Sequence, residues 1–160
     1  MRAILFLTLL CSPALAMSSM DNLANPQTDD DKSQEEARRW EKCQEILVPA
    51  CEEYLEAFST EAERAEWNKR IDERIAQKRE DNPSLDQGAC LREIALDWAA
   101  GNEARIRKKD PRCVKLACMM FVRFSSSGEM PPMQMRDNLK IDKVTEFSNY
   151  LKEEVEKKHE

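Results

Sequence analysis

Apolar residues recur at steps of three and four over most of the chain, which is the pattern of helices that bury one face. The longest stripe runs through Trp40, Cys43, Leu47, Cys51, Tyr54 and Phe58. Three further stripes lie within residues 67–75, 91–98 and 144–155, and charged residues occupy the opposite faces. We therefore predict an amphipathic helix at each of these four segments.

The segment 110–124 is the most apolar part of the chain beyond its N-terminus. Asp110 can cap a helix, and Pro111 suits the first turn of that helix. Only two of the residues 113–124 are charged. A helix that is apolar on nearly every side packs in the middle of a protein, so we expect this one to be the centre of the fold.

Short local signals predict where the helices begin and break. Ser33 and Thr60 each begin a capping box, and Ser84 can cap the third helix. Pro49 falls inside the first stripe and should kink or split the helix near Leu47.

These signals divide the chain into segments. We predict a flexible leader at 17–32, a helical core domain at 33–126, a Pro/Met linker at 127–141 and a C-terminal amphipathic helix at 142–160. The last helix either returns to the core or waits for a partner. Because glycine and proline interrupt the linker and no cysteine follows it, we expect the tail from Gly128 onward to be semi-independent.

The N-terminus has the features of a secretory signal peptide. A basic residue precedes a short apolar run at 3–11, and an Ala-x-Ala end fits cleavage, which predicts a signal peptide at 1–16 and a mature chain that starts at Met17. The apolar run is too short to span a bilayer, so no integral membrane segment is expected after cleavage. A lipoprotein that is acylated at Cys11 is the weaker alternative. The brevity of the signal favours a bacterial periplasm, with a eukaryotic secretory route as the alternative, and the protein is expected to be periplasmic or secreted.

Composition supports an all-α fold. Charged residues make up 35% of the chain and aromatic residues 6%, with only three glycines. Sheets favour more β-branched residues and more glycine in turns. The formal net charge of −6 disfavours nucleic acid as a partner. The basic cluster at 105–109 is interpreted as a solvated turn, with a docking patch for an acidic partner as the alternative.

Cysteine usage adds covalent cross-links to this prediction. Signal cleavage removes one of six cysteines, and the remaining five would enter an oxidising compartment. Cysteines on one helix would be about 12 Å or about 7.5 Å apart along the axis, so bonds should run between helices unless the proline opens a turn. Antiparallel packing of the first and central helices predicts the pairs Cys43–Cys118 and Cys51–Cys113. Cys90 is then the free thiol, and the fold is a small disulfide-stapled bundle of four to five helices.

Metal chemistry is weakly indicated. The cysteine spacings contain no Cys-x2-Cys, and the single histidine is His159 at the tail, so structural zinc is disfavoured. Met130, Met133 and Met135 place three thioethers in the linker, a ligand type that suits Cu(I). The competing interpretation is that these methionines fill gaps where the linker packs on the core.

The functional prediction depends on the catalytic motifs that the sequence lacks. There is no histidine outside the tail, no Gly-x-Ser-x-Gly and no phosphate loop. We therefore expect a non-catalytic protein without a cofactor, which binds another protein in the periplasm as an accessory, inhibitor or immunity-type protein. The alternative is a periplasmic copper-binding or thiol redox protein that uses the methionine segment or an unpaired cysteine.

Overall fold

The computed structural model describes residues 28–136 and 139–160, so the predicted signal peptide and most of the leader lie outside the described residues. Helices account for 85% of this part of the chain, which contains no strands. The prediction of an all-α fold is confirmed. Five helices are long and two are short: α1 (Asp29–Phe58), α2 (Glu61–Asp81), α3 (Gln87–Gly101), α4 (Glu103–Arg107), α5 (Pro111–Ser127), α6 (Met133–Arg136) and α7 (Ile141–His159).

Helix α1 begins earlier than predicted. The Thr28 hydroxyl accepts a hydrogen bond from the backbone of Asp31, and three aspartates occupy the first turn. Carboxylates are favourable at that end of a helix dipole, so the aspartates start the helix instead of belonging to a flexible leader. The helix is also unbroken at Pro49, which lies exposed within it. The predicted start at Ser33 is wrong, and of the predicted kink or split near Leu47 the split is wrong.

Other helix ends follow local side-chain chemistry. Thr60 and Glu63 form the predicted capping box, and Asp110 caps α5 as expected. Gly128 closes α5 in the left-handed conformation, at φ 69°. The cap of α3 is Asp86, not Ser84, because the Asp86 carboxylate accepts from the Ala89 amide at 2.7 Å.

Helices α1, α5 and α7 form a three-helix unit, and α1 has the most extensive contacts in it. The central helix of the fold is therefore α1 and not, as predicted, the more apolar α5. Helices α1 and α5 are antiparallel, since Ser125 donates to Gln44 at 2.9 Å while Cys118 contacts Cys51. Helices α1 and α7 run in the same direction.

The C-terminal helix is part of the core. Val144, Phe147, Leu151 and Val155 are buried, and α7 packs mainly against α1. Ser148 donates to the Ile46 carbonyl at 3.3 Å. The expectation of a semi-independent tail is therefore wrong, because the apolar face of α7 covers the apolar stripe of α1.

Helices α2 and α3 form a hairpin beside this unit. Lys78 bridges the two helices through Glu93 at 2.9 Å. Of the 21 residues of α2, only Ile71 and Ile75 are buried, because most of its surface is charged. The hairpin thus presents a narrow apolar face to the rest of the molecule.

No helix in the described ranges combines the length and apolarity that a membrane span requires.

Candidate functional site

An apolar seam runs between the α2–α3 hairpin and α5. Three adjoining cavities share its side chains as walls. We define the apolar seam by Trp67, Trp98, Leu116, Met119, Met120 and Phe124. Both tryptophans and Leu116 are only half-buried, whereas the two methionines and Phe124 are buried. The hairpin therefore meets α5 through large side chains that leave space between them.

The open part of the seam is a cleft between α2 and α5, which we call the α2–α5 cleft. It contains about 650 Å³ of free space, part of which is open to solvent. Its apolar wall consists of Trp67, Leu116 and Met119. Charged side chains form its rim: Glu63, Glu66, Arg70, Arg112 and Lys115.

Polar bridges cross from α2 to α5 at both ends of this cleft. At one end Lys115 lies 4.0 Å from Glu63. At the other end the Arg123 guanidinium donates to Asn68 at 3.1 Å and also pairs with Asp72. The two helices consequently run in the same direction, with the cleft between their two points of attachment.

The charged rim has one arginine side chain with no ion-pair partner among the described residues. A hydrogen bond from the Thr60 backbone, and then the nearby charge of Lys115, lowers the pKa of Glu63. Arg70 is paired with Glu66 at 3.0 Å. Within the described residues the Arg112 side chain forms no ion pair. A bound group with a carboxylate would find this arginine unpaired at the edge of an apolar wall.

A second, more enclosed cavity continues the seam toward the linker. It contains about 470 Å³ of free space, and Trp98, Phe124, Pro131, Met135 and Leu139 are among its walls. Nearly all of this wall surface is apolar, so the cavity offers little that could orient a polar ligand. The α2–α5 cleft, with its charged rim, is the better candidate for specific binding.

The four cysteines that were predicted to form disulfides are buried in the core, but they do not form the predicted pairs. Cys43, Cys51, Cys113 and Cys118 are buried free thiols. One cysteine pair approaches to 3.6 Å, and none is at disulfide distance. The thiols that share a hydrogen bond are Cys51 and Cys118, not the expected Cys51 and Cys113. The disulfide-stapled form of the bundle is therefore not what the structure contains.

The cause of this difference is the register of α1 against α5. Antiparallel packing was the correct premise for the two helices. The contacts Cys51–Cys118 and Gln44–Ser125 both shift α5 along α1 from the predicted alignment. Cys43 then has no cysteine opposite, and burial raises its pKa to about 11. Burial is also the main reason that the pKa of Cys113 is raised.

Cys90 lies on α3 and is also a buried free thiol, with none of its surface exposed. It is on the α2–α3 hairpin, whereas Cys51 and Cys118 are on α1 and α5. A thiol at this depth behaves as a small apolar residue.

The three linker methionines lie in three different environments. Met133 is 60% exposed, whereas Met135 is buried in the enclosed cavity. The sulfur of Met130 is 3.8 Å from the Arg136 guanidinium, whose charge opposes a bound cation. Among the described residues no group of three His, Cys, Asp or Glu side chains could hold a metal ion. The arrangement favours the gap-filling interpretation for Met135.

The α2–α5 cleft was not foreseen from the sequence. The stripe within residues 67–75 predicts that Trp67 lies on the buried face of its helix. The available signal was the narrowness of its stripe, because three apolar residues on a long charged helix cannot bury a tryptophan from all sides.

Comparison of the chain with models of protein families, with curated proteins and with solved structures gave no match.

Proposed function

We propose that this is a small exported, non-catalytic protein that binds another protein in the periplasm, in an accessory, inhibitor or immunity-type role. The observation that carries the proposal is the α2–α5 cleft. Tryptophan, methionine and arginine are enriched at protein interfaces, where an apolar centre lies inside a polar rim. The cleft has that composition and that arrangement.

The chemistry of the cleft indicates what the partner presents. Trp67, Leu116 and Met119 suit one apolar anchor side chain. Arg112, which forms no ion pair within residues 28–136 and 139–160, suits a carboxylate next to that anchor. We propose that the partner inserts an apolar residue with an acidic neighbour, as an amphipathic helix does.

Binding can be tested with the cleft intact and altered. The exported protein is used to capture its partner from periplasmic extract, and affinity is then measured with the isolated partner. Trp67→Ala and Leu116→Ala should each weaken binding at least about tenfold, since a truncated anchor contact at an interface costs about 1.4 kcal/mol or more. Added salt should weaken binding by the wild-type protein, because it screens the Arg112 contact.

Met133→Ala is the matched control. Met133 is exposed and lies outside the cleft, whereas Met119 is buried in its wall. The Met133 variant should therefore bind like the wild type. Unfolding in urea establishes that each variant is folded before binding is compared. If folded Trp67 and Leu116 variants bind as tightly as Met133→Ala, the cleft is not the interface and the proposal fails.

Export is tested separately at the N-terminus. We expect N-terminal sequencing of exported protein to begin at Met17, after removal of residues 1–16. A mature terminus at an acylated Cys11 would establish a lipoprotein instead. Recovery of the uncleaved chain from the cytoplasm alone would contradict export.

A further inference from the structure

The thiols of Cys51 and Cys118 face one another across the interface of α1 and α5. Neither residue has any exposed surface. Their side chains share a hydrogen bond, and the structure contains a cysteine pair at 3.6 Å. A bonded pair of sulfurs is about 2.05 Å apart, so bond formation needs only a small approach of two side chains that already touch.

Neighbouring contacts fix this register. About two turns away on both helices, Ser125 donates to Gln44 at 2.9 Å. The Trp40 and Phe121 rings pack with centroids 5.1 Å apart. Sliding α5 to another register would break both contacts, so the pairing of Cys51 with Cys118 is set by the packing of the whole interface.

Cys43 and Cys113 lack such a neighbour among the described residues. Burial and the charge of Arg39 act on the Cys43 thiol, and burial, Arg105, Asp110 and Arg112 act on the Cys113 thiol. No cysteine is among the groups that influence either thiol. Packing thus singles out one pair of the five described cysteines.

We infer that Cys51 and Cys118 form a disulfide that joins α1 to α5 in the exported protein. The inference rests on the proposed export, because an oxidising compartment supplies the reaction partner. It gives the molecule one cross-link and three buried free thiols, at Cys43, Cys90 and Cys113. This is a different pair from either of those that the sequence pattern suggested.

The oxidant belongs to the class of disulfide compounds, such as a dithiol–disulfide oxidase or oxidised glutathione. The thiolate of one cysteine attacks the oxidant's disulfide, which forms a mixed disulfide and releases one oxidant thiolate. The second cysteine then displaces the other oxidant sulfur and closes the Cys51–Cys118 bond. The two cysteines lose two protons and two electrons in total, and the oxidant gains them as two thiols.

The Cys51–Cys118 bond forms before the core is packed. Burial raises the pKa of Cys51 well above its ordinary value, and the protonated thiol is a poor nucleophile. The oxidant also cannot reach two sulfurs that have no exposed surface. The cysteines therefore react while α1 and α5 are still solvated. Among the possible pairs only Cys51–Cys118 fits the packed interface, and packing then protects that bond from reductants.

Peptide mapping tests the inference directly. Exported protein is acid-quenched, alkylated in denaturant and digested without reduction. We expect a peptide that links Cys51 to Cys118, with Cys43, Cys90 and Cys113 alkylated. Alkylation of both Cys51 and Cys118, or a bond from either one to another cysteine, would overturn the inference.

A refolding experiment separates the geometry from export. The full chain carrying Cys11→Ser has five thiols. It is reduced, unfolded and refolded with mixed reduced and oxidised glutathione. One bond should leave three alkylated thiols in this chain, four in its Cys51→Ala and Cys118→Ala variants, and two in its Cys43→Ala variant. Equal loss of thiols in the Cys51 and Cys43 variants would refute the pairing, whether or not the protein is exported.

Stability gives a second readout that does not depend on counting. Dithiothreitol should lower the urea midpoint of the refolded chain and of its Cys43→Ala variant. The Cys51→Ala and Cys118→Ala variants should show no such shift, because they have no bond to lose. A reductant-dependent shift that persists in Cys118→Ala would contradict the inference even if the variant folds poorly.

Discussion

Four side chains cap the N-termini of helices in this protein. Thr28, Thr60, Asp86 and Asp110 each accept a hydrogen bond from a backbone amide that has no partner inside its helix. At Thr60 the arrangement is reciprocal, since Glu63 accepts from the Thr60 amide at 2.8 Å. These contacts fix where a charged, glycine-poor chain turns from one helix into the next.

Removing the cap at Thr60 should destabilise the fold measurably. We expect Thr60→Ala to lower the free energy of unfolding by about 1 kcal/mol, because the first turn of α2 loses an acceptor for its amide. The exposed Thr145 bonds only within its own helix, to the Ile141 carbonyl, and serves as the control. Thr145→Ala should change stability by less than about 0.5 kcal/mol in the same urea titration.

The charge of Asp110 makes stability depend on pH. Hydrogen bonds, first from the Arg112 amide and then from the Arg105 side chain, lower the pKa of Asp110 in the folded protein. The resulting stabilisation is present above the ordinary aspartate pKa of about 3.9 and is lost as the pH falls through the lower folded value.

Asp110→Asn isolates this contribution, since asparagine also caps helices but does not titrate. We expect the variant to lose less stability than the wild type when urea midpoints are compared between pH 5 and pH 3. Asp142→Asn is the control, because Asp142 is exposed and caps no helix. Equal pH dependence in the wild type and in Asp110→Asn would contradict the prediction.

At the scale of elements, the face that a helix buries was more predictable than the partner it packs on. The stripe from Trp40 to Tyr54 is buried as its spacing required. The spacing of apolar residues within α1 and α5 does not determine the axial position of one helix against the other. The cysteine pairs predicted from that spacing therefore assume the wrong register. That register depends on how side chains such as Trp40 and Phe121 fit together, which a one-dimensional pattern does not contain.

The packing of α7 on α1 predicts a specific energetic role for the tail. Leu151 has no exposed surface, so Leu151→Ala should lower the free energy of unfolding by about 2–4 kcal/mol through lost burial and a cavity. The adjacent Lys152 is exposed, and Lys152→Ala should have little effect. Tryptophan fluorescence and far-UV circular dichroism should report one coincident transition in both variants. A separate early transition of the tail in Leu151→Ala would show that α7 is independent after all.

At the scale of the whole molecule, a three-helix unit carries a hairpin whose attachment is polar at its ends and apolar in the middle. The sequence predicted the helices on both sides of this seam. It could not predict the seam itself, since the half-buried state of Trp67 and Trp98 depends on the distance between the hairpin and α5. The candidate binding site was missed for that reason, whereas the fold class was not.

The attachment of the hairpin can be weakened at one residue. Arg123 on α5 binds both Asn68 and Asp72 on α2. We expect Arg123→Ala to accelerate amide exchange in α2 by about fivefold, as loss of about 1 kcal/mol of local stability would do. Exchange in α7 should not change.

Arg70→Ala is the matched control for this experiment. Arg70 pairs with Glu66 inside α2 and does not reach α5. Its variant should leave exchange in the middle of α2 close to that of the wild type. If the two variants accelerate exchange equally, Arg123 does not tether the hairpin.

The parallel packing of α1 and α7 determines when during synthesis the two helices can meet. Ser148 meets Ile46, and Lys158 meets Ala57, across sequence separations of 102 and 101 residues. Contacts between such distant segments form slowly and only after the intervening chain is available. The part of the α1 stripe that α7 covers therefore stays exposed until residues 141–159 have been synthesised. The three-helix unit is therefore completed only at the end of synthesis, when the last helix becomes available to pack on α1.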